Sequence, residues 1–228
     1  MPRKKRVLKR RGALLLKELT SRLTTSKDLR SSLFPKQRAF VDDPAKLKTA
    51  LCTRRAGKSY GDGVYLVLEA IENPGCTCLY VATTRDQAKR IMFKDVLKVI
   101  NRNFKVGMKF NRTTLEVSFP NGSMIYLMGM DMGPEEMEKA LGQKYRLCVI
   151  DECGSWRQDQ EHLVHSILEP ACADLEGTIV MTGSPVRETR SYFFRITSKP
   201  GNVKGWSCHS WTWQDNPHVV YQMQKQVD

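Results

Sequence analysis

Apolar and polar positions change rhythm along the chain. Over 13–23 ("ALLLKELTSRL") apolar residues fall at helical spacing, which predicts a short amphipathic helix, and 24–32 ("TTSKDLRSS") reads as a polar linker. From residue 46 onward, short apolar runs alternate with longer segments of helical period. "KLKTALCT", "CTCLYVAT", "YRLCVI", "GTIVMTGSP" and "GWSCHSWTW" are predicted strands. "KSYGDGVYLVLEAIEN", closed by Asn73-Pro74-Gly75, "RDQAKRIMFKDVLKVINR" and "EHLVHSILEPAC" are predicted helices. "TTLEVSF" and "SMIYLMGM" flank the turn "PNG" as a hairpin. Strand–helix alternation of this kind predicts an α/β fold in three layers, a mainly parallel central sheet with helices on both faces. No internal repeat interrupts it.

Composition narrows the class. At 228 residues and 41% hydrophobic content the chain can bury one sizeable core. A formal charge of +13 and a pI near 9.5 favour a polyanionic partner, nucleic acid first. Seven basic residues stand in "MPRKKRVLKRRG", so removing them still leaves +6 for the remainder. Seven irregularly spaced cysteines and no signal peptide suit a reducing, intracellular setting, with the thiols as small buried residues. No apolar run is long enough to cross a membrane.

The chemistry concentrates at four places. "TRRAGKS" (53–59) joins an apolar strand to a helix, the setting in which backbone N–H groups and a helix N-terminus cradle phosphates. Gly57 permits close approach, Lys58 reaches the β- and γ-phosphates, and the Ser59 hydroxyl meets Mg²⁺. Cys52 occupies the position where such loops carry their first glycine, and Arg54, Arg55 and Ala56 fill the middle. "YRLCVIDE" delivers Asp151 and Glu152 at a strand's C-terminal end, where open α/β sheets bind ligands. With Mg²⁺ present, Asp151 holds the metal's water shell and Glu152 orients and deprotonates the attacking water. Thr182 and Ser184 in "IVMTGSP" are candidate sensors of the γ-phosphate. Gln37 in "LFPKQRAFV" is the candidate reader of an adenine edge, with Phe34 or Phe40 packed on or near the base.

In this order, "FPKQRAF", "TRRAGKS", "CVIDE", "TGSP" and "WTWQDNP" resemble the ATPase domain of the large terminase subunit, the DNA-packaging motor of tailed bacteriophages and herpesviruses. The resemblance spans about 33–217, with 1–32 as a basic arm and short helix and 218–228 as a tail or the start of a linker. It implies an additional-strand, catalytic-glutamate P-loop ATPase that uses ATP and Mg²⁺. It also implies a ring, commonly a pentamer, that moves double-stranded DNA through a procapsid portal in the host cytoplasm, with the small terminase subunit as a further partner. Arg54 then matches the loop arginine that contacts the γ-phosphate, a charge placed where the transition state develops it; Arg55 is a solvent-facing neighbour.

Two departures stand out. "EKALGQKYRLCVIDE" has no arginine where some family members carry a trans-acting finger, leaving Lys139, Lys144 or Arg146 as substitutes, and lysine lacks arginine's planar fork. No carboxylate cluster of a nuclease domain follows "DNPHVVYQMQKQVD", so no nuclease activity is expected of this chain and a truncation is suspected. His162 and His165 read as a partly exposed helix face, and Trp206, Trp211 and Trp213 as core or interface residues. Arg85, Lys89 and Arg90 read as a solvated face with DNA phosphate as the competing use. Two other classes share these motifs: a DExx-box helicase, which needs a second RecA-like domain, and a basic DNA-binding module that keeps a decayed nucleotide loop.

Overall fold

The short apolar runs pair side by side into one eight-stranded sheet. A computed structural model describes residues 20–131, 142–156, 159–185, 191–198 and 203–224. Its strands are β1 (Leu47–Cys52), β2 (Thr77–Ala82), β3 (Lys109–Asn111), β4 (Glu116–Ser118), β5 (Met124–Gly129), β6 (Leu147–Ile150), β7 (Thr178–Gly183) and β8 (Trp206–Trp211). They lie in the order β3-β4-β5-β2-β6-β7-β1-β8. The six from β5 to β8 are parallel, and β4 and β3 extend the sheet antiparallel. The expected hairpin is β4–β5, closed by Phe119 and Gly122 amides on the Ser123 and Phe119 carbonyls. Strand β7 stands between β1 and β6, the extra strand that the additional-strand class requires.

Alternation along the strands feeds two cores. Cys78, Tyr80 and Ala82 point to one face with Leu147, Val149 and Val180; Leu79, Val81, Cys148, Ile150, Ile179 and Met181 point to the other. The first face is covered by α1 (20–31), α2 (Pro35–Asp42), α3 (Lys58–Glu72) and α4, which runs through Arg85–Gln87, wider π-type turns over Ala88–Leu97, and Lys98–Phe104. The second is covered by α5 (Gln160–His162, Leu163–Leu168 and Glu169–Ala173) and α6 (Tyr192–Ser198). Helix α7 (Pro217–Gln224) follows β8. Gly63 lets α3 and α4 meet, since a Cβ there would lie 2.2 Å from Val96 Cγ1. Among the described residues no helix is long and apolar enough to cross a membrane.

The polar linker expected at 24–32 is helical through residue 31. Tertiary burial overrides its weak helix propensity: Leu29 and Leu33 are buried in the first core, and Thr24, Thr25 and Ser31 hydroxyls bond carbonyls one turn back. From this helix Arg30 reaches Asp42 of α2 and both carboxylate oxygens of Glu72 in α3, tying three helices together. The basic segment 1–12 and Lys139 lie outside the described residues.

Lys48, the second residue of β1, is fully buried. Its ammonium donates to the Phe40, Val41 and Asp43 carbonyls at 3.1, 3.3 and 2.8 Å, closing the C-terminus of α2, and lies 4.4 Å from the centre of the Tyr65 ring. Burial pushes its pKa down from 10.5 to about 8, against the pull of Asp43, Glu69 and Asp42. The unfolded chain therefore binds this proton more tightly, and the group's contribution to stability rises from pH 8 to pH 10.5, by up to roughly 3 kcal/mol. Denaturant unfolding is expected to show wild type gaining on Lys48→Met between about pH 7.5 and pH 10. A constant gap overturns the assignment.

Candidate nucleotide site

Strand β1 ends at Cys52, whose thiol is buried, and the chain turns through 53–57 into α3. The turn carries two left-handed residues, Arg55 at φ 61° and Gly57 at φ 78°. Its carbonyls are held from outside: Asn216 Nδ2 donates to Arg55 O at 3.0 Å, Trp211 Nε1 to Ala56 O at 2.9 Å, and Gln37 Nε2 to Gly57 O at 2.8 Å. At φ 78° a side chain is strained, and a Cβ on Gly57 would also crowd those same Gln37 and Asn216 nitrogens at 3.0 and 3.2 Å, so both effects favour glycine here. Helix α3 begins at Lys58 with Gly57 as N-cap and no side-chain cap, which leaves its first amides for an anion.

Opposite, β6 ends in Asp151 and Glu152. Asp151 is buried; its oxygens accept from Lys58 Nζ, from Tyr80 Oη at 2.7 Å and from the Glu152 amide at 2.7 Å. Lys58 Nζ also lies 3.0 Å from Glu152 Oε1. Glu152 has left-handed backbone (φ 56°), a strained conformation for a non-glycine residue, and 42% of its side chain is exposed. Thr182 Oγ1, at the end of β7, sits 3.0 Å from both Asp151 Oδ1 and Asp62 Oδ2. Three neighbouring strand ends and the first turn of α3 thus meet at one point.

Electrostatics follow from that crowding. Burial opposes charge on Lys58, but Asp151, Asp62 and Glu152 overcome it and hold its pKa above the ordinary lysine range. Burial alone would raise Asp151; Lys58 and the Tyr80 hydroxyl outweigh it and keep the carboxyl below its usual range. Asp62, fully buried beside Asp151, is pushed well above it, and its Oδ1 has no hydrogen-bond partner. Among the described residues no three His, Cys, Asp or Glu side chains form a ready-made metal cage. The donors present, Ser59, Asp151 and the orphaned Asp62 oxygen, are all hard oxygens, and Mg²⁺ is commonly held by one or two carboxylates with substrate phosphates and water. The residues fit that ion.

The family model described as "Phage terminase large subunit" matches residues 44–228. The chain belongs to the phage terminase large-subunit family. No curated protein sequence matches it. Among solved structures it is similar to the large terminase ATPase domain of Thermus phage P74-26, with 18% identity, 85% of this chain and 87% of that one covered, and a TM-score of 0.64. It is also similar to the large terminase of another thermophilic bacteriophage, with 16% identity over 84% of this chain and a TM-score of 0.67; the aligned region spans only 49% of that protein. The N-terminal domain of the bacteriophage phi29 packaging ATPase matches at 13% identity, 73% and 90% coverage, and a TM-score of 0.54.

At this candidate site the residues named from the sequence divide. Lys58, Asp151, Glu152 and Thr182 gather around one point, Gly57 and Ser59 flank Lys58 in the chain, and Ser184 follows two residues beyond Thr182. Arg54 and Arg55 are exposed and, among the described residues, form no ion pair; Ala56 is buried. Gln37 is buried, its Nε2 donating to Gly57 O and its Oε1 accepting from the Phe34 amide at 3.3 Å. Phe40 is fully buried against Tyr65 and Trp211, which removes it as a base platform. Arg146 is engaged by Glu69 and the Leu175 carbonyl, and Lys144 pairs with Asp174; both precede β6, at the end opposite the carboxylates. His165 bonds Glu169 and Tyr192, as a structural histidine does. Sequence reasoning missed Asp62, whose signal was its place one helical turn after Lys58.

Proposed function

We propose that this chain is the ATP-hydrolysing motor domain of a phage terminase, coupling ATP hydrolysis to movement of double-stranded DNA into a procapsid. The observation that carries the reading is the convergence of the loop lysine on both strand-end carboxylates. The second thermophilic-phage terminase named above has been solved in complex with ADP and with ATP-gamma-S.

The residues divide the work as follows. The N-terminus of α3 and the loop amides receive the phosphates, and Lys58 turns from Glu152 toward the β- and γ-oxygens. Because Glu152 is half exposed, that turn gives up a weak ion pair and releases its carboxylate to take a proton from water. Ser59 and Asp151 would hold Mg²⁺, which when bound offsets charge on the phosphate oxygens. Arg54, exposed at the loop's edge, is the cation available to the terminal phosphate. Thr182, bridging Asp151 and Asp62, carries changes at the carboxylates into β7. Assembly as a ring on the portal with the small subunit in the host cytoplasm follows from the same reading.

Duplex DNA suits the remaining charge. Exposed Arg90, Lys94, Arg102, Lys109 and Arg112 stand along α4, β3 and the turn after it, whereas Arg85 is engaged by the Thr113 carbonyl. Two measurements test the reading. Mg²⁺-dependent binding of a non-hydrolysable ATP analogue is expected, and no binding overturns it. DNA affinity is expected to fall steeply between about 50 and 200 mM salt, by roughly 10³-fold for six phosphate contacts; a flat response overturns phosphate contact as the role of the charge.

A further inference from the structure

The phosphate loop of this chain is short of glycine, and its conformation is imposed from outside. We propose that Trp211 and Asn216 are positioning residues for the phosphate loop, and that Asn216 links nucleotide occupancy to the first turn of α7. The proposal rests on the nucleotide-binding reading above.

Three successive loop carbonyls, Arg55, Ala56 and Gly57, each accept from a side-chain N–H of a different residue outside the loop. A trans peptide points its C=O and N–H to opposite sides, so fixing the Ala56 and Gly57 carbonyls outward aims the Gly57 and Lys58 amides the other way. Those are the amides that a phosphate needs. Cys52 in place of the first glycine and a left-handed Arg55 give the loop little intrinsic preference for this shape. The outside donors supply it. Trp211 is 2% exposed and packed between Phe34 and Phe40, so its Nε1 is held in place.

Asn216 has a second attachment. While Nδ2 holds Arg55 O, its Oδ1 accepts the His218 amide at 3.1 Å, and its backbone carbonyl accepts the Val219 and Val220 amides. One buried side chain therefore caps α7 and grips the loop. The Trp213 amide on Thr53 Oγ1 at 2.9 Å and the Lys36–Asp215 ion pair fasten the same stretch alongside. A loop that tightens on phosphate steadies Asn216, and a loosened Asn216 weakens the loop by the same factor.

The test uses the full chain and an ATP analogue with Mg²⁺. Trp211→Phe keeps an aromatic ring and removes the donor. Asn216→Ser keeps a cap for α7 but is too short to reach Arg55 O. Trp206→Phe is the control: it removes an indole N–H from the other end of β8, where the donor serves Tyr192. Each of the first two variants is expected to raise Kd roughly 3- to 10-fold, the worth of one hydrogen bond, with the control unchanged. In wild type, nucleotide is expected to slow hydrogen exchange at the Val219 and Val220 amides, and Asn216→Ser to abolish that slowing while α7 stays formed. If wild type binds nucleotide and the two variants match the control, or if α7 exchange ignores nucleotide, the proposal is overturned. If wild type binds no nucleotide, the underlying reading fails first.

Discussion

Glu152→Gln is expected to retain ATP binding and to lose about 10²–10⁴-fold in hydrolysis rate, the usual worth of a general base. The side chain stands at the open end of β6 with 42% of its surface exposed, so the change neither opens a cavity nor strands a buried charge. Lys58 and Asp151 stay in place, and with them the contacts to phosphate and metal. Glutamine preserves the shape and loses the basicity. Phosphate release under single-turnover conditions, beside analogue binding, separates the two effects. Turnover close to that of wild type would move the base elsewhere.

Lys58→Ala should act on two levels. It removes the cation that meets the β- and γ-phosphates, so analogue binding should vanish. It also leaves Asp151, which is 2% exposed, with a buried charge and no counter-ion; breaking a buried pair from one side costs about 3–5 kcal/mol. Denaturant unfolding should register that loss before any nucleotide is added. Adding Asp151→Asn should recover much of the stability, because the stranded charge goes too, without restoring hydrolysis. If the single variant unfolds like wild type, the Lys58–Asp151 pair is not the buried bridge described above.

The candidate site was legible in the sequence wherever chemistry was local. Lys58, Asp151 and Glu152 could be named because strand-then-loop and strand-then-carboxylate patterns dictate where those side chains emerge, and strand order then brought them together. What stayed hidden was decided by distant contacts. The bond from Gln37 to the Gly57 carbonyl, 20 residues along the chain, has no local signal. The 24–32 segment reads as a linker because it is polar, whereas Leu29 and Leu33 decide the outcome by burial. Asp62 sat unmarked in a helix until β7 supplied Thr182 beside it. Helix α6 has too few residues for its period to declare itself.

Helix α3 has fifteen residues and so measures about 22 Å end to end. Its near end, at Gly57 and Lys58, is the one proposed to receive the phosphates. Its far end is gripped by Arg30 on Glu72, by Arg146 on Glu69, and by Asn121, whose amide bonds the Ala70 and Ile71 carbonyls. A stiff rod clamped at both tips cannot tilt at one without dragging the other. Any tilt imposed at the loop end would therefore have to be taken up at the far end, in the contacts with α1 and the 119–123 turn.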